Sequence, residues 1–398
     1  MQSPYKQDFP ALANQDIAYL DSAATCQVSS VVIEAVNDYL TQGQGNAGRG
    51  MHSFSQNADS ILKTCRAKVA DFINADQDKL IFTKGCTESI NIVANGLKGQ
   101  LCDKDSILVT VLEHHSNLLP WQRLCQQTGA RLNVLPLDEN GDLDCENLEV
   151  FLKDNCRLFA ITQSSNILGN YPPIKQLIAA AKPYDVRTLV DGAQAIAHIP
   201  IDIKQMGCDY YAFSGHKLYA PSGAGILYAN NPMELEPLLL GGGNVLKASL
   251  EGYLLKQDAT QFEAGTTNLV SLVGLSSAID YLSKIGYPSI YKLETKIHQY
   301  LTEQVKEKTS FKIISHPSSL SLVSFYSDKI HCHDVASLLA EKNVAIRAGH
   351  HCAQPCLNAI GIKHCLRASI GIYNDVHDID RLISGLIEIE RLFDLNLG

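Results

Sequence analysis

The sequence predicts an α/β fold, a large unit with a mostly parallel sheet followed by a smaller α+β unit. Three observations predict it. The length of 398 residues is enough for two to three domains and a sizeable core. Short apolar runs alternate with helical patterns from about residue 80 to residue 230, as in a sheet covered on both faces. That alternation stops after about residue 268, where long helical patterns precede short strands. In order, the large unit is expected to have strands at 80–83, 107–111, 131–135, 158–162, 187–190, 210–213 and 225–228. Helices are expected at 88–97, 118–128 and 174–181 between them. The smaller unit is expected to have helices at 269–282, 290–305, 333–341 and 376–393, and strands at 311–314, 321–325, 344–347 and 366–370.

Composition excludes several classes. With 45% hydrophobic and 19% charged residues the chain is too apolar for disorder. Its formal charge of −9 lacks the basic footprint of a nucleic-acid or anionic-membrane binder. No apolar stretch is long enough to span a bilayer. The opening MQSPYKQDFP has no basic region followed by an apolar run, so no secretory signal is expected. The 12 cysteines are therefore read as reduced thiols of a cytoplasmic protein.

Open α/β sheets bind ligands beyond the carboxyl ends of their strands, and the residues found there carry chemistry. After 80–83 comes Lys84-Gly85-Cys86-Thr87-Glu88, a turn of small residues into a helix that is either a plain cap or a phosphate seat. After 107–111 comes Glu113-His114-His115, a structural pair, metal ligands or a stacking ring; the spacing fits a helical HExxH zinc site badly. After 158–162 come Ser165-Asn166 and Gly169. Asp191 ends an apolar strand and is either a helix cap or a buried carboxylate that needs a cation. Ser214-Gly215-His216-Lys217 places a lysine either on a solvated surface or at a cleft mouth, where it suits an imine-forming amine. Taken together, a phosphate seat, a ring, a carboxylate and an amine are what pyridoxal 5′-phosphate requires.

The motifs DGAQ at 191–194 and SGHKLYAPSGAGILY at 214–228 resemble the aminotransferase class V branch of the fold-type I pyridoxal enzymes, the aspartate aminotransferase-like fold. EHHSNLLPWQ at 113–122, SNILG at 165–169, FEAGTTN at 262–268 and RAGHHCAQP at 347–355 narrow the resemblance to group II cysteine desulfurases of the SufS/CsdA kind. The resemblance runs from about Tyr19 to the C-terminus. It implies a large cofactor domain over 20–283 and a small domain of 1–19 with 284–398 that carries the catalytic cysteine loop. It also implies that Lys217 holds the cofactor, Asp191 pairs with the pyridinium, Gln194 bonds the phenolic oxygen and His115 stacks on the ring. Cys86, Thr87, Ser214 and His216 would serve the phosphate, and Thr266 the phosphate of a neighbouring copy in a homodimer. Asn166, Arg347 and Arg367 would hold the carboxylate of L-cysteine, and Cys352 would take its sulfur as a persulfide. A SufE/CsdE-like acceptor or scaffold protein would then receive the sulfur. Selenocysteine lyase or cysteine sulfinate desulfinase chemistry is the alternative.

The chain departs from the family twice. Cys86 stands where relatives usually carry Thr, and a thiol is the weaker donor, so its phosphate contact would lean on the backbone N–H. Gly48 stands where relatives tend to carry a His, before the arginine at 49.

Spacing alone offers a rival. His350, His351, Cys352, Cys356, His364 and Cys365 lie close in sequence, with His331, Cys332 and His333 not far upstream, as a metal or iron–sulfur site would require. No clean CxxC pair is present, and Arg347 and Arg367 bracket the segment. Two fixed cations oppose a divalent metal and favour a thiolate and a carboxylate, so no metal is expected. The remaining cysteines, such as Cys65, Cys125 and Cys208, are read as small core hydrophobes.

Overall fold

Seven strands build the central sheet: β1 (Leu80–Thr83), β2 (Ser106–Thr110), β3 (Arg131–Leu135), β4 (Cys156–Thr162), β5 (Arg187–Asp191), β6 (Tyr210–Ser214) and β7 (Gly225–Ala229). In this computed structural model, which describes residues 2–48 and 50–393, their order is β1-β7-β6-β5-β4-β2-β3. Only β7 runs against its neighbours; the other pairings are parallel. Apolar side chains on both faces of the inner strands are buried, as parallel strands flanked by helices require. The strand ends differ from the sequence-based expectation by a residue or two, and one difference matters: β5 extends through Asp191, so the carboxylate belongs to the strand itself.

The sequence gives little warning of two long helices. Ser30–Gln42 and Ser53–Ile73 pack against Leu269–Ile285 on one face of the large unit. The buried stripe of Ser53–Ile73 uses Ser55, Ala58, Cys65, Val69, Ala70 and Ile73. Small residues dilute its apolar periodicity.

The smaller unit begins with helix Tyr287–Lys308 after Gly286, whose φ of 80° turns the chain out of the preceding helix. Its antiparallel sheet has the order β8-β9-β11-β10, from β8 (Lys312–Ile313), β9 (Leu322–Tyr326), β10 (Arg347–Gly349) and β11 (Cys365–Ser369). The single strand expected at 344–347 is divided. Val344–Ala345 instead pairs in parallel with Ala18–Tyr19, which ties the N-terminal segment to this unit. Arg49, named in the family comparison above, and residues 394–398 of the expected small domain lie outside the described residues.

Candidate active site

The carboxyl ends of β1, β2, β4, β5 and β6 face β10, β11 and the loop after β10 across a cavity of about 320 Å³. Cys86, Thr87, Asn166, Asp191, Gln194, Ser214, His216, Lys217, Arg347, Cys352 and Arg367 all line it. Two of the expected residues do not. Thr266 lies in a separate cavity with Lys84, Glu88 and Asn268. His115 turns its ring towards His350, with ring centres 6.3 Å apart.

His114 lines the cavity in place of His115, which corrects the expectation of a stacking His115. The cause is local. His114 is extended, with φ −63° and ψ 150°, so adjacent side chains diverge. Its Nδ1 accepts the Ser116 N–H at 3.1 Å, which points the rest of the ring into the cavity. His115 contributes its backbone instead, donating its N–H to the Cys352 carbonyl at 2.7 Å. Glu113 turns into the core, where it accepts from Thr110 Oγ1 at 2.6 Å, Asn117 Nδ2 at 2.6 Å and the Thr162 N–H at 2.8 Å. Burial pushes its carboxyl up to about 8. Burial, helped by Lys217, pushes His114 down to about 4, so its ring is neutral at pH 7. Replacing His114 by alanine is expected to weaken cofactor retention by about 1 kcal/mol or more, the worth of an aromatic stack; His115→Ala should leave it within twofold. Dialysis against graded cofactor concentrations measures both, and equal losses would contradict the assignment.

Lys217 and Asp191 both line the cavity. Burial drives the Lys217 amine below its ordinary range, and Asp191 only partly opposes this. Such an amine is neutral, and so free to act as a nucleophile or take a proton, far more often at pH 7 than a surface lysine. His216, beside it, is likewise pushed down to about 4, mainly by burial and further by Lys217. Asp191 accepts the Ala193 N–H at 2.9 Å and the Cys86 thiol at 3.3 Å, both on Oδ1. The Cys86 N–H donates to Ser214 Oγ at 2.8 Å. The Cys86 thiol therefore meets the site through Asp191, while its N–H bonds to Ser214. The turn before helix Cys86–Gly96 is pressed against β7: a Cβ on Gly225 would come within 2.3 Å of Gly85 Cα. Glycine there lets β7 pack directly on the turn, which any side chain would displace.

Arg347 and Arg367 stand directly opposite each other in the β10–β11 register, a repulsive pairing by itself. Asp21, absent from the sequence-based expectations, reconciles them. It bonds Arg347 Nη2 at 2.8 Å and approaches Arg367 Nη2 at 3.5 Å. Arg367 is buried and also donates to the Asn166 carbonyl at 2.9 Å. Its Nε and Asn166 Oδ1 are buried without partners. Asn166 Nδ2 donates to the His351 carbonyl at 2.8 Å, and Gln194 Nε2 to the Ala23 carbonyl at 2.9 Å. The only sequence signal for Asp21 is an acidic residue directly after the short apolar run Ala18-Tyr19-Leu20.

Cys352 is set apart from the other thiols by exposure and by backbone. Of the 12 cysteines only Cys102, Cys145 and Cys352 are exposed, and of these only Cys352 reaches the cavity. His351 and Cys352 have φ of 50° and 54°, two successive left-handed residues with no glycine, a conformation that costs about 1–3 kcal/mol each and is concentrated at functional sites. His115 and Asn166 hold both carbonyls, and His351 Nε2 meets the Cys365 carbonyl at 3.2 Å. Burial pushes Cys356 and Cys365 each up to about 12. The histidines and cysteines of 350–365 do not gather into one cluster; only His364 joins His331 and Cys332.

The aminotransferase class-V family model matches residues 18–382. A cysteine desulfurase of Cronobacter sakazakii is 39% identical over 396 residues, covering 97% of this chain and 98% of its own. Among solved structures, the cysteine desulfurase CsdA of Escherichia coli superposes with a TM-score of 0.91 at 34% identity, over 99% of this chain and 98% of that one. An apo cysteine desulfurase of Thermococcus onnurineus gives 0.93, also at 34%, over 98% and 99%.

Proposed function

Since this chain belongs to the aminotransferase class-V family, among the cysteine desulfurases, we propose that it converts L-cysteine to L-alanine with pyridoxal 5′-phosphate and passes the sulfur on through Cys352. The observation that carries the reading is the placement of an exposed thiol on a strained loop in the same cavity as a buried amine and carboxylate. The residues present fit the cofactor. Lys217 is half-buried, makes no ion pair among the described residues, and has its amine driven below its ordinary range by desolvation. Thr87, Ser214 and His216 line the same cavity as Asp191 and the neutral ring of His114.

Lys217 would hold the cofactor, Asp191 its ring nitrogen, Gln194 its phenolic oxygen, and Thr87, Ser214 and His216 its phosphate, with His114 on the ring face. Bound there, pyridoxal phosphate supplies an electron sink conjugated to the substrate Cα. Arg367 offers its unpartnered Nε–H to the substrate carboxylate, the amide of Asn166 lines the same cavity, and Arg347 adds positive charge at the rim. Lys217 Nζ, once free, takes the Cα proton; its depressed basicity lets it also return protons near neutral pH. Cys352 Sγ attacks the substrate sulfur. A sulfur–sulfur bond forms, the carbon–sulfur bond breaks, and its electron pair stays with the three-carbon fragment, which is protonated and leaves as L-alanine.

Exposure of Cys352 suits handover of the persulfide to an acceptor of the SufE/CsdE kind. The proposed homodimer is supported by the apolar surface beside the Thr266 loop: Leu246, Leu250, Tyr253 and Leu254 are exposed around hairpin Val245–Ala248 and Tyr253–Leu255. Gly265 of that loop bonds back to Gly242 at 2.7 Å. A cytoplasmic location is consistent with 12 unpaired thiols. Incubation of the cofactor-loaded protein with L-cysteine should yield one alanine per sulfur delivered to an added thiol. Cysteine consumption without alanine would overturn the reading.

A further inference from the structure

Outside the cleft, one cluster of metal-ligating side chains has no role in the reaction above. His331 precedes helix Cys332–Glu341, Cys332 begins it, and His364 immediately precedes β11. Segments some 30 residues apart thus meet, and one donor atom from each of the three side chains lies within 4.8 Å of both others. The rings of His331 and His364 are 4.4 Å apart between centres. Cys332 is buried, His364 half-buried and His331 exposed, so the floor of the cluster is fixed and its outer wall can move.

We propose that His331, Cys332 and His364 form a Zn²⁺ site, separate from the cleft, with water as the fourth ligand. Two imidazoles and a thiolate form a tetrahedral, borderline-soft donor set with one open position. No carboxylate belongs to the set, which disfavours Mg²⁺ and Ca²⁺. Zinc bonds of about 2.0–2.3 Å place ligand atoms roughly 3.3–3.8 Å apart. The donors need to draw in by about an ångström, which rotation of the exposed His331 ring supplies. Coordination releases the Cys332 proton to solvent and involves no oxidation.

The site lies behind the loop that carries Cys352. Cys365, next to His364, pairs with Gly349 in the β10–β11 register and its carbonyl meets His351 Nε2. His333 rests on the same strand, its Nε2 3.8 Å from where a Gly349 Cβ would be. A bound ion would therefore cross-link the helix start to the strand pair below the loop. The proposal does not depend on the reaction assigned to the cleft.

The test is calorimetric titration of the cofactor-loaded protein with Zn²⁺, compared with His331→Ala, His364→Ala and Cys352→Ser. Co²⁺ serves as a spectroscopic probe of thiolate ligation. One equivalent is expected to bind with a sulfur-to-cobalt charge-transfer band. Each histidine variant should lose on the order of 100-fold or more in affinity, beyond the 10–100-fold cost of losing an outer-shell partner. Cys352→Ser should bind normally. Both histidines lie at or near the surface, so folding of these variants, checked by their cofactor spectrum, is expected to be unaffected. Absence of stoichiometric binding would overturn the site. So would binding that survives both histidine substitutions, or binding that disappears in Cys352→Ser, which would put the ion in the cleft.

Discussion

Lys217→Ala is expected to lower alanine formation from L-cysteine by roughly 10⁴-fold or more, the upper end of what one positioned acid–base group contributes. Two functions are lost together: the group that holds the cofactor and the base that moves the Cα proton. The environment of Lys217 argues for both. Burial depresses its basicity, and the main opposing charge, Asp191, is assigned to another partner. A lysine kept only for stability would carry its own buried counter-ion. Cofactor should also wash out on gel filtration, whereas the wild type keeps its colour. Added methylamine should restore part of the rate, because alanine leaves a space the size of the missing amine. That rescue separates a chemical role from a structural one, which no small amine would repair. Turnover near that of the wild type would remove Lys217 from the reaction.

Most of the framework was legible because buried parallel strands announce themselves. LIFT, RLNVL and the apolar stretch ending at Asp191 are bounded by turn residues, and ligands gather where such strands end. Lys217 and Asp191 are therefore legible from the strand pattern, whereas Cys352 is singled out only by the family resemblance of its motif. The stacking role expected of His115 falls to His114 for a reason with physical content. In a two-histidine run the sequence does not say which ring turns inward, and the answer depends on Nδ1 of His114 capping Ser116 and on the His115 N–H being drawn to Cys352. Asp21 was invisible because its value lies in two arginines more than 320 residues away, brought opposite each other only by the β10–β11 register. The sequence points to the Cys86 backbone N–H, not its thiol, as a phosphate contact, and leaves the thiol without a role. Packing instead turned it to the Asp191 carboxylate. The metal reading failed as a single 350–365 cluster because the strand pair and the Cys352 loop separate those residues, while a distant helix start brings two other ligands to His364.

Cys352→Ser is expected to abolish sulfur transfer while leaving the cofactor in place. The loop conformation rests on backbone bonds: the Cys352 carbonyl accepts the His115 N–H at 2.7 Å, the Ala353 N–H reaches the His350 carbonyl at 2.9 Å, and Asn166 holds the His351 carbonyl. None of these involves the thiol, and serine is almost its isostere, so the loop should persist. No cofactor contact is assigned to Cys352, so the absorption of the bound cofactor should not change. Alanine formation should nonetheless fall by roughly 10³-fold or more, as when the nucleophile of a catalytic unit is removed, because a hydroxyl at neutral pH is a far poorer nucleophile towards sulfur. L-selenocysteine should be less affected. Its carbon–selenium bond is weaker and its selenol more acidic, so selenium can depart without capture by the enzyme. Mass spectrometry of the wild type after a brief exposure to L-cysteine should find one added sulfur on the peptide containing Cys352. Full activity of Cys352→Ser with the added sulfur on Cys356 or Cys365 would move the nucleophile. That outcome would require one of two buried thiols, each pushed up to about 12 by its surroundings, to open to the cleft and ionise in place of one already there.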